Sequence, residues 1–113
     1  MGSCGGGATT LTAPVLSDVT FETTGNAWSN SARFDSSNPD CPVQSVSLID
    51  GDGFEVVHHG DGEYTVTLSL DKSNRDGLYY YIVMAAAANN QELKLVSQTV
   101  TVIKTCTTQL KPG

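Results

Sequence analysis

Residues 64–70 read YTVTLSL, an unbroken alternation of apolar and polar side chains. Because successive side chains of a β-strand point to opposite faces, this period of two predicts a strand with one buried and one solvated face. The β-branched threonines also suit a pleated surface. This stretch is the strongest strand signal in the chain, and the organisation of its neighbours follows from it.

Two glycine-rich turns precede this strand. The sequence GDG occupies residues 60–62, and DGDG occupies residues 50–53. Glycine adopts positive φ without strain, and aspartate stabilises turns through its own side chain. These turns predict successive antiparallel strands at residues 43–50 and 54–58.

The chain after residue 77 is more ambiguous. Residues 78–86 are apolar at both alternating positions, as expected of a strand central to a sandwich, although the alanines at 85–88 favour a helix. The β-formers at residues 79–83 lead us to predict a strand. Residues 93–104 form the last strand, whose alternation slips near Ser97 and Gln98 and so predicts a β-bulge.

The amino-terminal part adds a strand with Val15, Val19 and Phe21 on one face, and a short strand at residues 32–35. In all there are about seven short strands and no convincing helix, a pattern typical of an all-β, immunoglobulin-like two-sheet sandwich. We predict that residues 14–107 form this single domain. Residues 1–13 read as a flexible leader (a tag or a lipoprotein tether), and residues 108–113 as a tail.

The net charge argues against nucleic-acid binding, and the hydropathy argues against a transmembrane helix. The 113 residues carry a net charge of -6, which repels a phosphate backbone, so nucleic acid is not expected to bind. No apolar run reaches the roughly 18 residues that a transmembrane helix requires. The expected partners are another protein or neighbouring domains of a larger surface protein.

The three cysteines indicate an oxidising compartment. Cys41 precedes one predicted strand and Cys106 follows the last, which predicts a disulfide between them; the alternative is two buried thiols. Such a bond favours an extracellular or cell-surface location (periplasmic or outer-surface in a bacterium). Cys4 is left over in the leader, where CGGG at residues 4–7 resembles the start of a mature bacterial lipoprotein. It equally resembles an engineered conjugation handle, so Cys4 is a candidate for either a lipid anchor or a conjugate.

Two candidate ligand sites stand out, each with a plainer interpretation. Asp50, Asp52 and Asp61 supply oxygens that suit calcium, while the same residues suit ordinary hairpin turns. Trp28 lies in a polar, loop-like segment, where it is a candidate for stacking on sugar or a partner protein. The two histidines, His58 and His59, are adjacent and therefore point to opposite faces of a strand, and no cofactor or catalytic set is expected.

From residue 54 to 105 the chain resembles a cadherin-like repeat, through LDK at 70–72, YIVMA at 81–85 and TVTV at 99–102. GDGEYTV at residues 60–66 is similar to a strand opening in filamin-type immunoglobulin-like repeats. The resemblance implies a sandwich used as a spacer or adhesion unit. Ser73 stands where cadherins have a calcium-binding glutamate, so the resemblance does not extend to calcium-dependent rigidification.

These observations predict a non-catalytic structural or adhesion module of an extracellular or cell-surface protein, which mediates protein contact or spacing. The alternative is a calcium- or carbohydrate-binding β-sandwich module.

Overall fold

A computed structural model describes residues 9–88 and 92–104 of the chain. Nearly all of its regular structure is strand, which confirms the all-β class. The strands are β1 (Leu11–Thr12), β2 (Val19–Glu22), β3 (Ser29–Arg33), β4 (Asp35–Ser36), β5 (Val43–Asp50), β6 (Phe54–Gly60), β7 (Glu63–Leu68), β8 (Gly77–Ala87) and β9 (Leu93–Ile103), with one helical turn, α1 (Leu70–Ser73).

Two sheets form the sandwich. One has four strands in the order β2-β9-β8-β5, in which β2 runs parallel to β9 and the other pairs are antiparallel. The other has three antiparallel strands in the order β3-β7-β6. A short β1–β4 ladder completes the described strands.

The core lies between the two sheets and is built by alternation. On β7, Tyr64, Val66 and Leu68 are fully buried and the residues between them are not. Tyr81 and Val83 of β8 and Val100 of β9 face them from the four-stranded sheet. The alternation that defines the predicted strand therefore places its apolar side chains in the core, as the sequence indicates.

The four-stranded sheet has two distinct ends. At the Cys41 end, Val43 of β5 pairs with Ala87 of β8, and the adjacent Ala88 N–H donates to the Pro42 carbonyl at 3.0 Å. At the Lys104 end, Gly77 of β8 pairs with Val102 of β9. The eleven-residue β8 runs from one end to the other.

Four sequence predictions need correction. Leu11–Thr12 lie in β1 with Leu11 buried, so the flexible leader does not extend to residue 13. The strand expected from Val15 begins at Val19, and Val15 is 98% exposed, so it does not share a packed face with Val19 and Phe21. The short strand at 32–35 is two strands, β3 and β4, interrupted at the buried Phe34, whose N–H donates to the Gly62 carbonyl at 2.9 Å. The turn after residue 70 contains the helix α1, capped by the Ser69 hydroxyl.

The expected β-bulge in β9 is absent, because β9 pairs with β8 in one continuous register from Leu93 to Val102. The slip has another cause. Gln98 occupies an inward position, where it accepts a hydrogen bond from the Tyr81 hydroxyl at 2.6 Å and donates to the Ser17 carbonyl at 2.8 Å. The usual alternation of β9, with apolar residues inside and polar residues outside, is reversed at Gln98 and at Leu93 and Leu95. No extra residue of the kind that makes a β-bulge is needed to explain the slip.

Candidate interaction face

The three predicted calcium ligands do not converge. Asp50 Oδ2 accepts a hydrogen bond from the Tyr80 hydroxyl at 3.0 Å, and Asp52 Oδ2 lies 3.3 Å from Lys72 Nζ. Asp61 lies at the far end of the seven-residue β6, roughly 20 Å away. Within residues 9–88 and 92–104, no group of three acidic, histidine or cysteine side chains is arranged to hold a metal ion. Sequence proximity is misleading here because a strand separates the two turns.

Trp28 is part of the core and is not exposed on a loop. It is 8% exposed, and its ring lies edge-on to Phe54 with centroids 6.3 Å apart and 6.5 Å from the ring of Tyr81. Its backbone N–H donates to the buried Ser73 hydroxyl at 2.9 Å, and that hydroxyl donates to the Leu68 carbonyl. The indole therefore offers no stacking platform, and the polar residues around it in sequence concealed its burial.

The histidines serve the β6–β7 hairpin. His58 Nε2 accepts a hydrogen bond from the Gly62 N–H at 3.1 Å, and His59 Nε2 lies 2.7 Å from the Thr65 hydroxyl. Each imidazole is thus engaged with the hairpin to which it belongs.

Cys41 is fully buried and forms a disulfide. Cys4 and Cys106 lie outside the described residues, so the pairing of Cys41 with Cys106 and the roles suggested for Cys4 stay predictions at this point. No helix in the described part of the chain is long and apolar enough to cross a membrane.

The most unusual surface is the outer face of the four-stranded sheet. Outward-pointing side chains of β8 form an apolar stripe with a residue of β9, here called the β8 stripe: Leu78, Tyr80, Ile82, Met84 and Leu95. Leu78 is 71% exposed, Tyr80 53% and Leu95 54%. The prediction that β8 is buried on both faces is therefore wrong for its outer face, which nothing in the described structure covers.

The β8 stripe has few charges beside it. The strand partners of its β8 members are Thr101, Thr99, Ser97, Asp50, Leu95 and Ser47. Asp50 is the one ionisable group among these partners, and it already accepts the Tyr80 hydroxyl. The hydrogen bond to Asp50, the charge of Asp50 and slight desolvation raise the pKa of Tyr80 above its ordinary value. The stripe's own side chains are therefore uncharged, and apart from Asp50 and Leu95 their strand partners are short hydroxyl residues. Asp52 and Lys72, which lie 3.3 Å apart, stand beside Leu78 and Tyr80 at one end of the stripe.

Such a surface is suited to contact with another protein. Contact cores are depleted in charge and enriched in tyrosine and methionine, whereas a solvated sheet face ordinarily alternates with polar residues. The sequence evidence for the β8 stripe was the run 78–86, in which the residues on both faces of the strand are apolar. It could not be assigned to a surface until the register showed which positions point outward.

Comparison with known proteins supports the fold. No protein-family model and no curated protein sequence matches the chain. Among solved structures, chimeric titin Z1Z2 matches 88% of this chain and 97% of its own length, with 20% identity and a TM-score of 0.58. The SrpA adhesin from Streptococcus sanguinis matches 93% of this chain and 62% of its own, with 12% identity and a TM-score of 0.53. The predicted immunoglobulin-like β-sandwich is confirmed.

Enzymes also contain this architecture. The endo-fucoidan hydrolase MfFcnA4 from glycoside hydrolase family 107 matches 89% of this chain, with 12% identity and a TM-score of 0.63. The chain spans only 14% of the length of that hydrolase. At these identities the similarities establish the fold alone.

Proposed function

We propose that this chain is a non-catalytic structural or adhesion module of an extracellular or cell-surface protein, and that it binds another folded protein domain through the β8 stripe. The observation that carries the proposal is the stripe itself: a row of large side chains without charge on the outer face of the sheet, of which Leu78, Tyr80 and Leu95 are each more than half exposed. Large exposed apolar patches on soluble domains commonly mark sites of protein contact.

The size of the face sets the strength of the contact. β8 is about 33 Å long, and with one neighbouring strand on each side the face is roughly 14 Å wide, giving on the order of 500 Å². Stable complexes bury about 800 Å² on each partner. A single contact should therefore be weak, and firm attachment should need several copies acting together.

The solved structures support a role in protein contact. One match is to an immunoglobulin-like domain in the titin M10–obscurin like 1 complex, which is an assembly of two proteins, and another is to an adhesin. The small share of the fucoidan hydrolase that the chain spans suits an accessory module. The buried disulfide cysteine supports an oxidising, extracytoplasmic location.

A second copy of the chain is a suitable probe, because it presents the same uncharged apolar face. The full chain would be attached through one terminal biotin to streptavidin beads of two colours, and mixed-colour clusters would be counted by flow cytometry. We expect wild-type beads to cluster at high surface density. Leu78→Asp and Leu95→Asp place a charge in the contact and should each reduce clustering by about tenfold, the effect of losing roughly 1.4 kcal/mol per contact.

Val57→Asp is the matched control. Val57 is 55% exposed on β6 of the three-stranded sheet, so the change adds the same charge on the opposite side of the molecule. Clustering should survive it. If wild-type beads do not cluster, or if Val57→Asp abolishes clustering as fully as Leu78→Asp does, the proposed contact face is wrong.

A further inference from the structure

The partner of Cys41 can be inferred from the strands on either side of it. Cys41 is fully buried and disulfide-bonded. The chain has three cysteines, so the other sulfur comes from Cys4 or Cys106. Each of these cysteines follows or precedes a described segment whose position is fixed by hydrogen bonds. The number of residues between the cysteine and that segment limits how far its sulfur can lie from the segment.

Cys106 follows a segment at the Lys104 end of the sandwich, which is opposite to the Cys41 end. It lies two residues after Lys104, whose N–H donates to Asp76 Oδ1 beside the first residue of β8. Cys41 lies one residue before Pro42, whose carbonyl is bonded to Ala88 beside the last residue of β8. The length of β8, roughly 33 Å, separates these two anchor points.

The available chain is too short to close this gap. Two residues from Lys104 span about 7 Å, and one residue from Pro42 spans about 4 Å. A disulfide joins Cα atoms that are at most about 7 Å apart. Together these lengths reach about 18 Å, roughly half of what a Cys41–Cys106 bond requires.

Cys4, in contrast, is attached at the Cys41 end. Thr10 and Ser37 are joined by two hydrogen bonds, from the Thr10 N–H to Ser37 Oγ at 2.8 Å and from the Ser37 N–H to the Thr10 carbonyl at 2.9 Å. Asn38 Nδ2 donates to Thr9 Oγ1, and the Asn38 carbonyl accepts the Cys41 N–H at 2.9 Å.

Thr9 is thus one side-chain contact and one turn away from Cys41, a separation of about 12 Å for residues joined in this way. Cys4 lies five residues before Thr9, and that length of chain spans up to about 18 Å. The leader therefore reaches Cys41 with length to spare.

We propose that Cys4 and Cys41 form the disulfide of this domain, in place of the Cys41–Cys106 bond expected from sequence. The two thiols lose two protons and two electrons to a disulfide-containing oxidant by thiol–disulfide exchange, and one S–S bond forms while the oxidant is reduced to thiols. The bond ties the segment preceding β1 to the turn preceding β5. It also decides the role of Cys4, because a sulfur in a disulfide cannot also carry a thioether-linked lipid or a conjugate.

Trypsin separates the three cysteines, which makes the pairing directly measurable. Cleavage after Arg33, Lys72 and Lys104 places Cys4 in peptide 1–33, Cys41 in 34–72 and Cys106 in 105–113. The full chain would be oxidised with glutathione disulfide, alkylated below pH 7 and digested without reductant for mass spectrometry. We expect 1–33 linked to 34–72, and 105–113 carrying one alkyl group. A 34–72 peptide linked to 105–113, or three alkylated peptides, would overturn the proposal.

Melting of two serine variants gives an independent readout. Cys4→Ser should lower the melting temperature by roughly 10–20 °C and remove its sensitivity to reductant. Cys106→Ser is the matched control and should melt like the wild type, with the same sensitivity. The reverse ranking would refute the inferred pairing. Neither result depends on the β8 stripe, so this pairing and the proposed function fail separately.

Discussion

Two buried tyrosines lie on facing strands, and removing the hydroxyl of one should stabilise the fold whereas removing the hydroxyl of the other should destabilise it. The hydroxyl of Tyr64 on β7 is buried and has no hydrogen-bond partner among the described residues. The hydroxyl of Tyr81 on β8 donates to Gln98 Oε1 at 2.6 Å. Both side chains are fully buried, so the change to phenylalanine keeps the ring and its packing and removes only the hydroxyl.

The expected free energies follow from this difference. An unsatisfied buried hydroxyl costs about 1–3 kcal/mol in proteins, so Tyr64→Phe should raise the free energy of unfolding by about 1 kcal/mol. Tyr81→Phe leaves the buried Gln98 oxygen without its donor and should lower the free energy of unfolding by about 1–3 kcal/mol. With a urea slope of about 1–1.5 kcal/mol/M, each kcal/mol moves the midpoint by roughly 0.7–1 M.

Urea denaturation followed by circular dichroism measures both variants under identical conditions. Trp28 fluorescence is a poorer probe, because the indole lies against Tyr81 and reports the local change as well as unfolding. The reasoning would be refuted if Tyr64→Phe lost as much stability as Tyr81→Phe, since that result would mean that the Tyr64 hydroxyl is satisfied in solution.

Two further predictions concern a turn and alkaline pH. Gly62→Ala should destabilise the fold by more than about 2 kcal/mol, because its Cβ would clash with the Phe34 carbonyl oxygen at a φ of +85°. Gly25→Ala, at a nearly equal φ of +89° but with open space around the added Cβ, should cost only about 1–2 kcal/mol in the same denaturation assay, and equal losses would contradict the steric argument. At high pH, burial raises the pKa of Tyr64 from 10.0 to about 12, so the folded state holds its proton more tightly than the unfolded state. The stability this gives is complete well below pH 10, and about 2 kcal/mol of it is lost by pH 12, so Tyr64→Phe should make the decline of the urea midpoint shallower.

The strands that alternate regularly could be predicted closely from sequence. β5 has the predicted bounds, and β6 to β9 differ from the predictions by a residue or two at most of their ends. Glycine-rich turns separate these strands, so local chemistry and tertiary packing agree. The helix α1 was missed because a single turn needs only the Ser69 cap and no apolar period.

Burial within polar segments could not be predicted in the same way. Trp28 and Leu11 lie among small polar residues, yet both are in the core, because residues distant in sequence cover them. The carboxylates failed as a metal site for the related reason that neighbouring turns in sequence lie at opposite ends of a hairpin strand. Period and composition describe one strand at a time, whereas a site depends on which strands meet.

The outer face shows how one inward polar residue concealed an exposed apolar surface. In β9 the inward series is Val96, Gln98, Val100 and Val102, and Leu93 and Leu95 point outward. Reading glutamine as an outward residue forces a bulge, which would turn both leucines into the core. The Tyr81–Gln98–Ser17 hydrogen bonds remove that need, because they satisfy the amide inside the sandwich. Once Gln98 is inward, the leucines must be outward, and Leu95 joins Tyr80 and Leu78 on a face that no described residue covers. The buried polar network and the exposed apolar stripe are therefore two consequences of a single strand register.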